Sequence, residues 1–117
     1  MDKPLNLEQR TYSFALNCRL YIQKLPKTIS NIEDGKQVIR SSGSIGANYI
    51  EANEKLGDKD LSFRLKIARK EAKESKYWMQ LLHELNPDFR HISESLILEV
   101  EELRKILSAI IIKTTKS

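Results

Sequence analysis

The segment that decides the fold runs from Lys59 to Leu85 and reads KDLSFRLKIARKEAKESKYWMQLLHEL. It contains neither proline nor glycine, and most of its residues favour the helical conformation. On a helical wheel with about 100° per residue, one apolar seam recurs at alternating steps of four and three residues. The members of this seam are Leu61, Leu65, Ala68, Ala72, Ser75, Met79 and Leu82. The pattern predicts an amphipathic helix packed into a core.

The same helix carries two further sectors. A second apolar sector, interrupted by Glu71 and Glu74, contains Phe63, Ile67, Trp78, Leu81 and Leu85. A basic sector covers about a third of the circumference. Its members are Lys59, Lys66, Arg69, Lys70, Lys73 and Lys76, which we call the basic stripe. A helix in a simple bundle needs one apolar stripe, so the second sector indicates a further packing surface.

Three more amphipathic segments accompany this helix, and the breaks between them are short. Pro26, Gly57 and the Asn86-Pro87 pair mark those breaks. Short links imply antiparallel neighbours. We therefore predict an all-α protein, one domain over residues 1–117, folded as an antiparallel up-down-up-down four-helix bundle. The expected helices cover residues 5–25, 30–56, 60–86 and 92–113.

Local signals refine this plan. Asn6 is expected to cap the first helix, and Ser30 or Asn31 the second, because short polar side chains accept bonds from free N–H groups. Gly43 and Gly46 each cost about 1 kcal/mol relative to alanine in an exposed helix. We expect another backbone to approach there, or the helix to kink.

Composition excludes several classes of protein. The 117 residues include one cysteine, Cys18, so no intrachain disulfide forms and a reducing compartment is expected. The first ten residues, MDKPLNLEQR, lack the apolar core of a signal peptide, and no apolar run reaches membrane-spanning length. The sequence predicts a cytoplasmic protein with no membrane partner.

The net charge of +4 is concentrated on the third helix. Residues 59–76 contain seven Lys or Arg and three Asp or Glu, whereas residues 30–58 contain three basic and five acidic residues. Such a stripe is either a solvated helix face or a surface that faces phosphates.

Catalytic and metal-binding patterns are missing. A carboxylate-bridged metal site in a bundle needs Glu-x-x-His, and neither His83 nor His91 has a glutamate three residues earlier. Neither histidine follows an arginine at the spacing of small helical nucleases, and Ser44 has no evident histidine partner. We expect no enzyme activity, no metal and no cofactor.

A structural polar network is expected instead. A buried carboxylate needs a partner, and an arginine can meet it with two charge-assisted hydrogen bonds. The second helix carries polar residues along one side, and the third carries two glutamates within an apolar sector. The predicted members are Arg40, Ser44, Asn48, Glu51, Glu71 and Glu74.

Two segments resemble a known family. Residues 40–52, RSSGSIGANYIEA, are similar to the R-S-x-x-S-I-x-x-N-I-x-E signature of the bacterial four-helix-bundle family of the 23S rRNA intervening-sequence protein. Residues 67–78, IARKEAKESKYW, resemble the I-A-R-x-E-x-x-E segment on that family's third helix. Tyr49 stands where the family usually has isoleucine, and Ala52 where glycine often follows the glutamate.

The resemblance implies a ring-shaped homopentamer. It also implies kinship with the accessory variability protein of diversity-generating retroelements, a basic pentamer that binds nucleic acid and works with a reverse transcriptase. No enzymatic activity is established for the family.

Two functional hypotheses follow. The first is a non-enzymatic oligomer that binds RNA or DNA backbone through the basic stripe. The second is a structural or protein-interaction oligomer, with a partner such as a reverse transcriptase, in which the stripe only keeps the particle soluble. Salt-dependent binding to nucleic acid separates them.

Overall fold

The computed structural model describes residues 6–54 and 57–115 and is built from four α-helices. They are α1 (Leu7–Lys24), α2 (Ile29–Asn53), α3 (Asp58–Leu85) and α4 (Arg90–Thr114), with a short 3-10 turn, Pro87–Phe89, before α4. No strand occurs within these two ranges, so the all-α, four-helix prediction is confirmed. The predicted helix ends agree to within about two residues, except that those at Leu5 and Leu56 lie outside the described residues.

Side-chain contacts show the direction of α2 against α3. Asn31 at the start of α2 bonds Asn86 at the end of α3, whereas Asn48, late in α2, accepts from Arg64, early in α3. The two helices therefore run antiparallel.

The other consecutive pairs reverse in the same way. Lys76 of α3 pairs with Glu101, while His83, further along α3, meets Ser93, earlier in α4. Likewise, a Cβ on Gly46 would meet Thr11 of α1, and a Cβ on Gly35 would meet Ile22. Each helix is therefore antiparallel to the one before it.

The core contains the predicted α3 seam and apolar residues from the other three helices. Every α3 seam residue is buried apart from Leu61, which is partly covered, and α1 contributes Thr11, Phe14, Cys18 and Tyr21. On α4 the buried apolar residues are Leu96, Val100, Leu103, Leu107 and Ile111. Burial raises the pKa of the Cys18 thiol to about 12, because the thiolate is poorly solvated there.

One helix cap differs from expectation. The Asn6 side chain accepts from the Gln9 N–H (2.8 Å), as predicted. The prediction of Ser30 or Asn31 for α2 was wrong, because Thr28 is the cap and accepts from the Asn31 N–H (3.1 Å). The Thr28 N–H donates to the Pro26 carbonyl (3.0 Å), so the turn closes at Thr28 and the helix begins directly after it.

Glycine is needed where α3 begins. Gly57 precedes Asp58 with φ +141°, a conformation that L side chains rarely adopt.

No described helix is both long and apolar enough to traverse a lipid bilayer.

Gly46 allows α1 and α2 to approach closely. A Cβ at this position would lie 2.9 Å from Thr11 Oγ1 and 3.3 Å from Thr11 Cβ. Thr11 is buried and β-branched, so it has little freedom to move away. At Gly43 the nearest atom is the Arg19 guanidinium at 3.2 Å, the far end of a flexible side chain.

We predict that Gly46→Ala destabilises the bundle by about 1–3 kcal/mol through overpacking, despite the better helix propensity of alanine. Gly43→Ala is the matched control, with the same propensity gain and a neighbour that can yield. Urea unfolding followed by circular dichroism measures both. A Gly46→Ala protein at least as stable as its parent would show that α1 can move away at no cost.

Candidate functional site

The basic stripe lies on the side of α3 opposite its core seam. Lys59, Lys66, Lys70 and Lys73 are exposed, and Arg69 is partly covered. Among residues 6–54 and 57–115, none of these five forms an ion pair with a carboxylate. Their positive charge is therefore available to a partner.

Lys76, the sixth predicted member, is engaged within the bundle. Its Nζ lies 2.9 Å from Glu101 Oε2 on α4, and Glu101 also accepts from Arg104 Nε. The hydrogen bond from Lys76, and then that from Arg104, lowers the pKa of Glu101 from 4.5 to about 2. Lys76 therefore joins α3 to α4 and adds little to the free charge of the stripe.

Three members of the predicted polar network meet at the junction of α2 and α3. The Arg40 guanidinium donates to Glu71 (3.1 Å) through Nη1 and to Glu74 (2.7 Å) through Nη2. Glu71 is the buried partner, with a side chain 6% exposed, whereas that of Arg40 is 53% exposed. The hydrogen bond from Arg40 lowers the pKa of Glu74.

The other three predicted members lie apart from this junction. Asn48 Nδ2 donates to the carbonyl (2.9 Å) and hydroxyl (3.0 Å) oxygens of Ser44, so these two form a local pair on α2. Glu51 is exposed, with no hydrogen bond or ion pair to another described side chain. The structure therefore brings together Arg40, Glu71 and Glu74, but not all six residues.

Several polar contacts were not anticipated from the sequence. Ser75 Oγ donates to Ser41 Oγ (2.8 Å) inside the core, and Asn31 and Asn86 exchange two side-chain bonds of 2.9 and 2.8 Å. Arg10 makes a two-point contact with Glu99, which ties α1 to α4. The only available signal was a polar residue at a seam position, such as Ser75.

His83 and Ser93 form a serine–histidine pair. His83 Nδ1 lies 2.6 Å from Ser93 Oγ. Ser93 is completely buried, so its hydroxyl cannot reach a substrate and the pair joins α3 to α4. No group of three His, Cys, Asp or Glu side chains in the described part of the chain is placed to hold a metal ion.

Aromatic side chains accompany the basic stripe. Phe63 is 59% and Tyr77 58% exposed, whereas Trp78 is partly buried against the core. The Tyr77 and Trp78 rings meet edge to face, with centroids 5.0 Å apart and an interplanar angle of 81°. The second apolar sector of α3 is therefore only partly covered by the chain's own bundle.

A separate apolar surface lies on the outer side of α1 and α2. Its large side chains are exposed, and Tyr12, Leu16 and Ile50 line a groove of about 410 Å³ that passes Gly43 and Gly46. We call this surface the α1–α2 apolar face; it comprises Tyr12, Leu16, Leu20, Ile32, Ile39 and Ile50. Contiguous exposed apolar residues of this kind mark association surfaces.

The fold and these surfaces define a class of small all-α proteins built as four-helix bundles. A solved structure of that class, a protein of unknown function from the S23 ribosomal protein family of Bacteroides thetaiotaomicron VPI-5482, superposes with a TM-score of 0.78. The two proteins are 32% identical over 91% of this chain and 98% of the other.

The sequence model of the 23S rRNA-intervening sequence protein family matches residues 3–109. The chain belongs to this family, which confirms the resemblance found in its second and third helices. A search of curated proteins finds no match.

Because Glu71 is buried and Arg40 is half exposed, we predict that the larger loss follows removal of the arginine. Arg40→Gln leaves the Glu71 carboxylate without its charged partner and is expected to cost about 2 kcal/mol. Glu74→Gln leaves only a half-exposed arginine to rehydrate, with a loss under about 1 kcal/mol. Urea unfolding of the two single variants and of the double variant Arg40→Gln/Glu71→Gln measures these losses in the free energy of unfolding. Equal losses in the two single variants would contradict the assignment.

A pH dependence follows from Glu101. Its folded pKa is below its unfolded value, so its stabilising contribution is complete above about 4.5 and disappears as the pH falls toward 2. Glu101→Gln should be about 1 kcal/mol less stable at pH 7 and lose less stability than the parent upon acidification. Glu102→Gln, which changes an exposed carboxylate next in the chain, is the control. Identical acid-unfolding curves for the Glu101 variant and the parent would rule out this contribution.

Proposed function

We propose that this protein is a non-enzymatic, oligomeric four-helix-bundle module that binds the backbone of RNA or DNA through the basic stripe of α3. One observation carries the proposal. Lys59, Lys66, Lys70 and Lys73 are exposed on one helix face, without a carboxylate partner among the described residues. Cations that are not neutralised within the bundle attract phosphates.

The length of the stripe suits a polyanion. Lys59 and Lys73 are separated by fourteen positions, which at about 1.5 Å per residue corresponds to roughly 21 Å along the helix. Phosphates follow one another every 3.4 Å or so along one strand of a duplex, so the stripe spans several of them. Lysine ammonium groups act as point charges and carry little base specificity, so the proposed binding follows backbone charge.

The oligomeric part of the proposal rests on the α1–α2 apolar face. Six large apolar side chains exposed on one surface favour association with another protein surface. A homopentamer, as the family resemblance implies, would repeat the stripe on every subunit and convert weak single-site attraction into avidity.

The same face supports a second candidate, a structural or protein-interaction oligomer without a nucleic-acid role. In that case the apolar face carries the function, including contact with a protein such as a reverse transcriptase. The stripe then only maintains solubility.

Charge reversal distinguishes these two functions. We predict that Lys66→Glu/Lys70→Glu/Lys73→Glu weakens binding of a labelled RNA by more than about 100-fold at low salt. The slope of log affinity against log salt should become shallower by about three, as expected for three lost phosphate contacts. Fluorescence anisotropy between about 50 and 200 mM salt measures both quantities.

The control is Lys24→Glu/Lys27→Glu/Lys105→Glu, which has the same net charge but changes exposed lysines outside the stripe. This control should retain most of the affinity. Sedimentation equilibrium of both variants should give the same oligomer mass as the parent, and a pentamer is expected. Equal losses in both variants would show attraction to net charge alone. An intact oligomer with no affinity for RNA or DNA would favour the protein-interaction function.

A further inference from the structure

The exposed aromatic rings lie on the same face of α3 as the free lysines. Phe63 and Tyr77 are fourteen positions apart, which places them about 21 Å apart along the helix and within roughly 40° of each other around it. Lys66, Lys70 and Lys73 lie between them on that face and are exposed. The outer face of α3 is therefore a row of cations with an aromatic ring at each end.

Neither ring is required by the core. Both are more than half exposed, although burying an aromatic side chain is strongly favourable. Trp78, next to Tyr77 in the chain, is the ring that packs against the core. The exposed rings therefore have apolar faces available to a ligand.

The surroundings of each ring suit a nucleobase. Tyr77 borders an open recess of about 370 Å³ between α2 and α3, which Lys73, Trp78 and the Arg40–Glu74 ion pair also line. The Tyr77 ring meets the Trp78 ring edge to face. At the other end, the Arg64 guanidinium carbon lies 6.0 Å from the centroid of Phe63. Arg64 Nε is also 3.6 Å from the Asp60 carboxylate, which offsets part of its charge.

From this arrangement we infer that the nucleic acid bound by the basic stripe is single-stranded, with bases stacked on Tyr77 and Phe63 and phosphates on the lysines between them. The inference rests on the proposed function and adds the class of nucleic acid. In a duplex the base faces are stacked on one another and cannot meet these rings. In a single strand every base has a free face, and stacking on an aromatic side chain is tolerant of sequence.

The bundle leaves one face of α3 exposed to nucleic acid. α3 contacts α2 through Arg40 and Ser41, and α4 through Glu101 and Ser93. With neighbours on both sides, only its outer face is free. The major groove, about 12 Å wide, presents base edges and no base faces, so the two rings on this outer face have nothing to stack on in a duplex.

The test compares a labelled oligo(dT) strand of about 20 nucleotides with an oligo(dA)·oligo(dT) duplex of the same length. The parent protein should bind the strand more tightly than the duplex. Tyr77→Ala and Phe63→Ala should each weaken strand binding about tenfold and leave duplex binding unchanged. Tyr77→Phe, which preserves the ring, should bind like the parent. Leu98→Ala removes a similarly exposed large side chain from α4, outside both α3 and the α1–α2 apolar face, and is the control.

Trp78 supplies a second readout, because it is the only tryptophan of the chain and touches the Tyr77 ring. Strand binding should change its fluorescence, and duplex binding should change it less. This signal reports on the recess beside Tyr77 and not on nucleic acid attracted elsewhere.

The outcomes separate this inference from the function on which it rests. If strand and duplex bind equally and the ring variants match the parent, the inference is wrong and the backbone-binding function stands. If the parent binds neither probe at low salt, both are wrong. If Tyr77→Ala or Phe63→Ala changes the oligomer mass in sedimentation, the rings serve a subunit contact and the inference is overturned.

Discussion

The register between α2 and α3 is the constraint on which the other surfaces depend. Buried side chains set it at two heights: Asn31 with Asn86 at one end, and Ser41 with Ser75 near the middle. A shift of one helical turn would leave these groups without partners inside the protein, at a cost of about 1–3 kcal/mol for each. Because α3 cannot slide or rotate against α2, its outer face is fixed as well.

Because of this register, some charged residues of α3 form ion pairs with neighbouring helices and the others lie on its outer face. Toward α2, Glu71 and Glu74 are held by Arg40; toward α4, Lys76 is held by Glu101. What remains on the outer face is almost entirely positive. The basic character of that face follows from the spacing of the lysines, since Glu71 and Glu74 lie in the neighbouring second apolar sector, where Arg40 binds them.

Much of this could be predicted from the sequence, because helical periodicity needs only local information. The α3 seam, the position of the basic stripe and the four helices were all indicated by the spacing of apolar and charged residues. The meeting of Arg40 with Glu71 and Glu74 was also indicated, but the partners of most other polar groups were not, because they depend on how far each helix is rotated against the next. Lys76 was therefore placed with the free lysines, and Glu51 with the Arg40 network, although Glu51 is exposed and lies away from it. The Thr28 cap was missed because it depends on where the Pro26 turn closes.

The burial of Cys18 makes the reactivity of its thiol a measure of whether the bundle is folded. Alkylating reagents attack the thiolate, and a thiol with a pKa of about 12 has almost none near neutral pH. The side chain is also completely covered by the core. A maleimide therefore reacts only when the bundle opens far enough to release α1. Because the sequence contains no other cysteine that could react, the rate of labelling measures how often the bundle opens in this way.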